Sequence, residues 1–182
     1  MPNLIDELQS DHANFGRVLS ILGQQAELLS QDRDPDYVLM LDIADYFDNY
    51  ADLIHHPTED VLFEFYRARY GHLGEEIEAL TRQHKRLKGL TQALYQALDD
   101  INKQVVTPKD RVEQLLARYL DEQRAHMKAE ETMVYPALRQ RLTPGDLSEL
   151  EPLLPARVDP LFGPAIREEY DQLYERILAR ME

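Results

Sequence analysis

Four stretches of this 182-residue chain carry apolar residues that step by alternating threes and fours, and in each stretch a histidine sits on or beside the apolar row. The first row is Ile5, Leu8, His12, Phe15, Leu19, Leu22, Ala26 and Leu29. The third is Ile77, Leu80, His84, Leu87, Thr91, Leu94, Leu98 and Ile101, and the fourth is Val112, Leu116, Tyr119, Gln123, His126, Glu130, Met133 and Ala137. Such a row is the packing seam of a helix. The second stretch is less regular, with Leu41, Ala44, Ala51, His55, Glu59 and Leu62 facing inward. No alternating strand pattern of useful length competes, so the fold class is all-α.

Punctuation sets the boundaries. Helix one is expected from about Asn3 to Ser30. Asp34 caps helix two, with Pro35 at its first position, and that helix runs to the region of Tyr66–Tyr70. Pro57 lies inside it and predicts a kink near His55–Glu59, because a mid-helix proline loses a hydrogen bond and crowds the carbonyl four residues back. Gly71 and Gly74 mark a turn, helix three runs from about Glu75 to Asn102, and Thr107 with Pro108 opens helix four, which ends near Arg141. Residues 1–142 are thus read as an up-down-up-down four-helix bundle. Residues 143–182 are read as a Pro-rich linker and a short C-terminal amphipathic helix, Ala165 to Met181. That helix would present Ile166, Tyr170, Leu173, Ile177 and Met181 to the bundle or to a partner subunit, a homodimer included.

Charge and cysteine content exclude several functions. The net charge is -14 and no basic stripe stands out, which argues against nucleic acid and against an anionic membrane surface. The chain has no Cys. Disulfides, thiolate nucleophiles, Fe–S clusters and Cys-type zinc sites are therefore out, and any metal needs nitrogen and oxygen ligands. The start, MPNLIDELQSDH, lacks a signal-peptide pattern, and no apolar run approaches about 20 residues. The expectation is a cytoplasmic protein.

In an up-down-up-down bundle the histidines share a level. His12, His55, His84 and His126 lie roughly 14 to 23 Å from one common end of the bundle, a spread that side-chain reach and tilt absorb. Glu59 and Glu130 each follow a histidine by four residues and so lie on its helix face. A lone seam histidine is more often a hydrogen-bonded core residue, and an isolated HxxxE arises by chance on a charged helix. Four histidines and two carboxylates in one buried layer, with no Lys or Arg on these seams, call instead for a compensating cation. The expected metal ligands are His12, His55, Glu59, His84, His126 and Glu130, and each Glu can bridge two ions. Imidazole with carboxylate suits iron, manganese or zinc. His56, about 100° around the helix from His55, is expected to be exposed or behind the ligands, and His72 in a turn. Asp60 and Glu131 are expected to be solvated. Gln123 or Tyr119 would hydrogen-bond a ligand, and Asp48 would orient a ligand imidazole.

The order His, HxxxE, His, HxxxE, read in DHANF, HHPTEDVLF, RQHKRL and HMKAEETMVYPAL, resembles the hemerythrin-like, or HHE cation-binding, family over about residues 3–141. The resemblance implies two non-haem iron ions bridged by Glu59, Glu130 and an oxo or hydroxo group. It implies a protein that binds or senses oxygen, nitric oxide or iron. The alternative is a di-iron enzyme (oxidase, peroxidase or iron-centre repair), with Tyr119 or a tyrosine of helix two relaying electrons. A third reading is a metal-free interaction module working through the C-terminal helix. Lys88 stands where oxygen-carrying hemerythrins have a further His, and HxxxE replaces their HxxxxD on the last helix. Two His per ion would leave roughly one open position on each, for His56, Asp60 or water to fill.

Overall fold

A computed structural model describes residues 4–181. Asn3, where the sequence reading starts helix one, lies outside the described residues, as does the side chain of Met181. The described chain is helical without strands. Four rods carry it. The first is α1 (Leu4–Ser30). The second is α2 (Tyr37–Tyr46), continued through a π-helical stretch, Phe47–His55, into α3 (His56–Tyr70). The third is α4 (Gly74–Asn102). The fourth is α5 (Lys109–Ala129), continued through a second π-helical stretch, Glu130–Val134, into α6 (Tyr135–Arg141). No helix among the described residues is long and apolar enough to cross a membrane.

The caps correct two expectations. Asp36, not Asp34, caps α2 by accepting from the Leu39 N–H. Pro108 stands at the cap position of α5 rather than inside it, and Thr107 turns back to the Val105 carbonyl. Gly71, at φ 65°, ends α3 in the left-handed conformation that an L side chain resists.

The expected kink at Pro57 takes a specific form. In the first π stretch the hydrogen bonds skip to the fifth residue back, so the N–H of His56 reaches the Ala51 carbonyl. The second stretch does the same, the Tyr135 N–H reaching the Glu130 carbonyl. Pro57 and Pro136 each sit two residues past a π stretch, in the first turn of the resumed α-helix. A proline there has no N–H to lose, and the wide turn behind it relieves the clash with the earlier carbonyl.

The core comes in two parts. One cluster gathers Phe15, Leu19, Leu22, Met40, Ile43, Phe47, Leu94, Leu98, Leu116 and Tyr119. The other gathers Ile5, Leu8, Leu62, Phe63, Ile77, Leu80, Tyr135 and Leu138. Along α1 the change from one to the other falls between Leu8 and Phe15, where His12 stands, and along α4 between Leu80 and Leu90, the interval that holds His84. A polar plate therefore lies between two apolar blocks.

The C-terminal segment ties the blocks together from outside. α7 (Pro144–Leu150) opens with a capping box of Thr143 and Asp146 and seats Leu150 in the second cluster. Arg157 pairs with Glu7 on α1, and Asp159 accepts from Tyr46 on α2. α8 (Asp171–Met181) then buries Leu173 and Ile177 in the first cluster, and just before it Tyr170 joins them. Its apolar face thus packs on α1 and α2 of the same chain.

Candidate metal centre

In the plate between the clusters, His12, His55, Glu59, His84, His126 and Glu130 come together, each buried. His56 joins them. It is 4% exposed, and it stacks on the His84 ring at 4.5 Å and 11°. Of the two places expected for it, exposed or behind the ligands, the exposed one is therefore wrong. On an α-helix, Glu59 falls about 40° from His55 and His56 about 100° from it, taking about 100° per residue. Glu59 thus lies angularly between two imidazoles, and both can face inward on either side of it. The HHxxE spacing was the signal.

The histidines divide into two sets. His56, His84 and His126 group with Glu59 on one side; His12 and His55 group with the same Glu59 on the other. Glu130 touches both sets, its Oε1 at 3.3 Å from His84 Nε2 and its Oε2 at 3.3 Å from His126 Nε2 and 3.4 Å from His12 Nε2. Glu59 does likewise, with Oε2 at 3.4 Å from both His55 Nε2 and His84 Nε2 and Oε1 at 3.8 Å from His12 Nε2.

Every ring is held by its other nitrogen. His12 Nδ1 meets Glu131 at 3.2 Å, His55 Nδ1 meets Asp11 at 3.0 Å and His56 Nδ1 meets Asp52 at 3.0 Å. His84 Nδ1 meets Asp60 at 2.8 Å, and His126 Nδ1 meets the Gln83 side-chain oxygen at 3.0 Å. These oxygens accept, so each Nδ1 carries the donated proton and each Nε2 is the face turned to the centre. That arrangement is how metal-ligating histidines are oriented. Asp60 and Glu131 do this work while keeping the solvent exposure expected of them, 36% and 40% of their side chains. Asp48 does not; it bonds Gln92 instead. Gln123 and Tyr119 bond each other at 3.2 Å, and Gln83 takes the role expected of them. His72 is exposed between α3 and α4. Lys88 lies outside the plate, and the additional imidazole comes from His56.

The donor set fits a pair of cations. Glu59 Oε2, Glu130 Oε2 and His126 Nε2 are buried without a hydrogen-bond partner, a costly state for two carboxylates. Among the described residues, the buried polar side chains include no Lys or Arg. Metal–nitrogen and metal–oxygen bonds of about 2.0–2.2 Å set neighbouring donors about 3 Å apart, close to the 3.1–3.4 Å contacts seen across the plate.

With no ion, protons supply the positive charge. Burial and the Glu59 charge push Glu130 up to about 8. Burial works against a charged His55, but Glu59 and Asp11 outweigh it and hold His55 up at about 10. Burial and the neighbouring His55 bring His12 down to about 3. Burial likewise lowers His56 and His126. His55 Nε2, 3.1 Å from His12 Nε2, thus carries a proton that His12 accepts.

Tyr135 completes the two-His side. Its hydroxyl donates to Glu59 Oε1 and lies 3.3 Å from His12 Nε2, and its ring stacks on His12 at 5.3 Å. Sequence reasoning marked the aromatic close of HMKAEETMVYPAL but gave Tyr135 no role. The second π stretch brings it round.

Neither a curated protein nor a solved structure matches the chain. The family profile described as Hemerythrin HHE cation binding domain matches residues 3–138, the span that carries every histidine and carboxylate of the plate. The chain belongs to the hemerythrin HHE cation-binding family, whose domain binds metal cations.

Proposed function

We propose that this chain holds two iron ions and takes up a small diatomic ligand, oxygen or nitric oxide, on its two-His side. One observation carries the reading: five buried imidazoles, each held at Nδ1 by an oxygen acceptor, present Nε2 to two shared carboxylates. His56, His84 and His126 would hold one ion, and His12 and His55 the other, with Glu59 and Glu130 bridging. Three imidazoles, two carboxylate oxygens and a bridging oxygen fill six positions. Two imidazoles with the matching oxygens would fill five and leave one for an incoming ligand, on the side where the Tyr135 hydroxyl lies against His12 and Glu59. Bound iron would supply reversible electron transfer and affinity for diatomic gases; imidazole and carboxylate donors suit it, and also suit manganese or zinc. The protein's part is to fix the rings, exclude water with the two apolar blocks and offer the Tyr135 hydroxyl to an incoming ligand.

The test is elemental analysis of aerobically purified protein with its absorption spectrum, followed by anaerobic reduction and gas addition. Two irons per chain and a gas-dependent spectrum support the reading. An iron-loaded sample whose spectrum ignores both gases sinks the gas-binding part, and zinc at full occupancy sinks the iron part. A di-iron enzyme is the second reading, favoured by the tyrosines that lead away from His55.

A further inference from the structure

His55 is the inner end of an aromatic column. The Phe15 ring meets His55 edge-on at 4.9 Å. Phe15 in turn touches Tyr50 at 6.0 Å and Tyr46 at 6.1 Å. Tyr46 and Tyr50 stack at 5.9 Å and 24°, and Tyr46 meets Tyr170 at 5.9 Å. The column thus runs from the metal centre to the C-terminal segment, beyond the span of the family match. Tyr50 also reaches His55 through a shared atom: Asp11 Oδ2 accepts from the Tyr50 hydroxyl at 3.2 Å and from His55 Nδ1 at 3.0 Å.

Each tyrosine hydroxyl in the column has a carboxylate acceptor. Tyr46 donates to Asp159 at 3.1 Å and Tyr170 donates to Asp45 at 2.9 Å, as Tyr50 does to Asp11. A buried phenol needs some acceptor, and a backbone carbonyl or a water would satisfy it more cheaply than a carboxylate that is itself buried. Asp159 is 8% exposed and also receives the Leu161 and Phe162 N–H groups, which hold it toward Tyr46. A carboxylate acceptor has one property that a carbonyl lacks: it can take the proton. A phenol gives up an electron readily only if its proton leaves with it.

We propose that Tyr46 and Tyr170 are single-electron donors to the metal centre, with Phe15 and Tyr50 as the path, and that they act when hydrogen peroxide is reduced there. This rests on the di-iron reading above. Reducing one peroxide to two waters breaks the O–O bond and consumes two electrons and two protons. Two phenols supply the electrons and release as many protons as the peroxide takes up: one hydrogen peroxide and two tyrosines give two waters and two tyrosyl radicals. Each phenol O–H breaks, its electron travelling inward and its proton passing to Asp159 or Asp45. An equal number of protons reaches the peroxide from solvent. A one-electron reductant such as ascorbate then restores the tyrosines.

The experiment treats the iron-loaded full chain with hydrogen peroxide, freezes it and records electron paramagnetic resonance. The expected result is a tyrosyl signal in the wild type that ascorbate removes. It should be lost in the Tyr46→Phe/Tyr170→Phe double variant, whose iron content and optical spectrum stay unchanged because neither residue contacts a candidate ligand. Spin trapping of the wild type with peptide mass spectrometry covers a variant that fails to fold; adducts on Tyr46 or Tyr170 support the assignment. No radical in iron-loaded wild type, a signal retained in the double variant, or adducts confined to Tyr119 or Tyr135 each overturn it. A chain that takes up no iron defeats the di-iron reading first, and iron content separates the two failures.

Discussion

The two halves of the plate are built from the same parts in different numbers. On one side three imidazoles, His56, His84 and His126, crowd together, His84 and His126 meeting edge-on at 4.7 Å. On the other, two imidazoles share the space with the phenol of Tyr135. The contrast comes from one residue on one helix. The second rod carries HHxxE, and the fourth carries HMxxE, with Met127 where a second histidine would stand. Had both rods carried the pair, both sides would be equally full. The difference teaches that a bundle of near-equivalent rods makes two inequivalent donor sets cheaply, by one imidazole beside a shared carboxylate.

The comparison breaks most completely if the shared carboxylate goes. Glu59→Gln should reduce the metal content of purified protein from about two ions to below one per chain, because Glu59 serves both sides; elemental analysis reads this. Two ions retained would mean that Glu59 does not bridge. His56→Ala should act on one side alone, leaving about one ion per chain at equal loading. Unchanged occupancy in competition titrations with a chelator would remove His56 from the ligand set. Asp52→Ala leaves His56 in place but frees its Nδ1, and should weaken the three-His ion about 10–100-fold. The same change at Asp11 should affect the two-His ion instead.

Proton release sharpens the contrast without mutation. Metal binds the deprotonated donors, while the metal-free chain at pH 7 holds protons on Glu130, pushed up to about 8, on His55, held at about 10, and on His84, which Asp60, Glu130 and Glu59 raise well above its ordinary range against the effect of burial. Uptake at pH 7 should therefore expel about three protons, and apparent affinity should rise with pH, less steeply once Glu130 is ionised above about 8. Calorimetry in buffers of different ionisation enthalpy counts them; no net release would contradict the assignment. The smallest effect is expected from Tyr135→Phe, which should keep both ions and change only the gas-dependent spectrum, through the lost hydroxyl beside Glu59 and His12.

Much of this was legible in the residues. The rods follow from the seams, because apolar periodicity reports the helix face directly. The four seam histidines and two glutamates follow from the same periodicity with i,i+4 spacing. What stayed hidden depends on contacts between rods. Gln83 on α4 holds His126 on α5, and Glu131 at the start of the second π stretch holds His12 on α1; sequence spacing within one helix cannot show either pair. The exception is Asp52, four residues before His56 on the same rod, a spacing that the sequence does show. The π stretches were hidden too. They appeared only as the Pro57 kink, and Pro136 raised no comparable expectation.

Those two prolines have a consequence for how the centre is assembled. A lone π turn in an ordinary helix can migrate, since any residue's N–H can take up the skipped bond. Pro57 and Pro136 have no N–H, so the skip is pinned behind each of them, next to His55 and His56 on one rod and at Glu130 on the other. The rotation of the metal-facing side chains is thus fixed by the chain itself before any ion arrives. On the two-ion proposal, loading and unloading would then be exchanges of ions for protons within a standing frame, with no helix to rewind. Deleting a single residue from either stretch would instead let that rod close as plain α-helix with what lies beyond it in nearly its present rotation, and would re-aim only the side chains of the stretch itself, His55 or Glu130 among them.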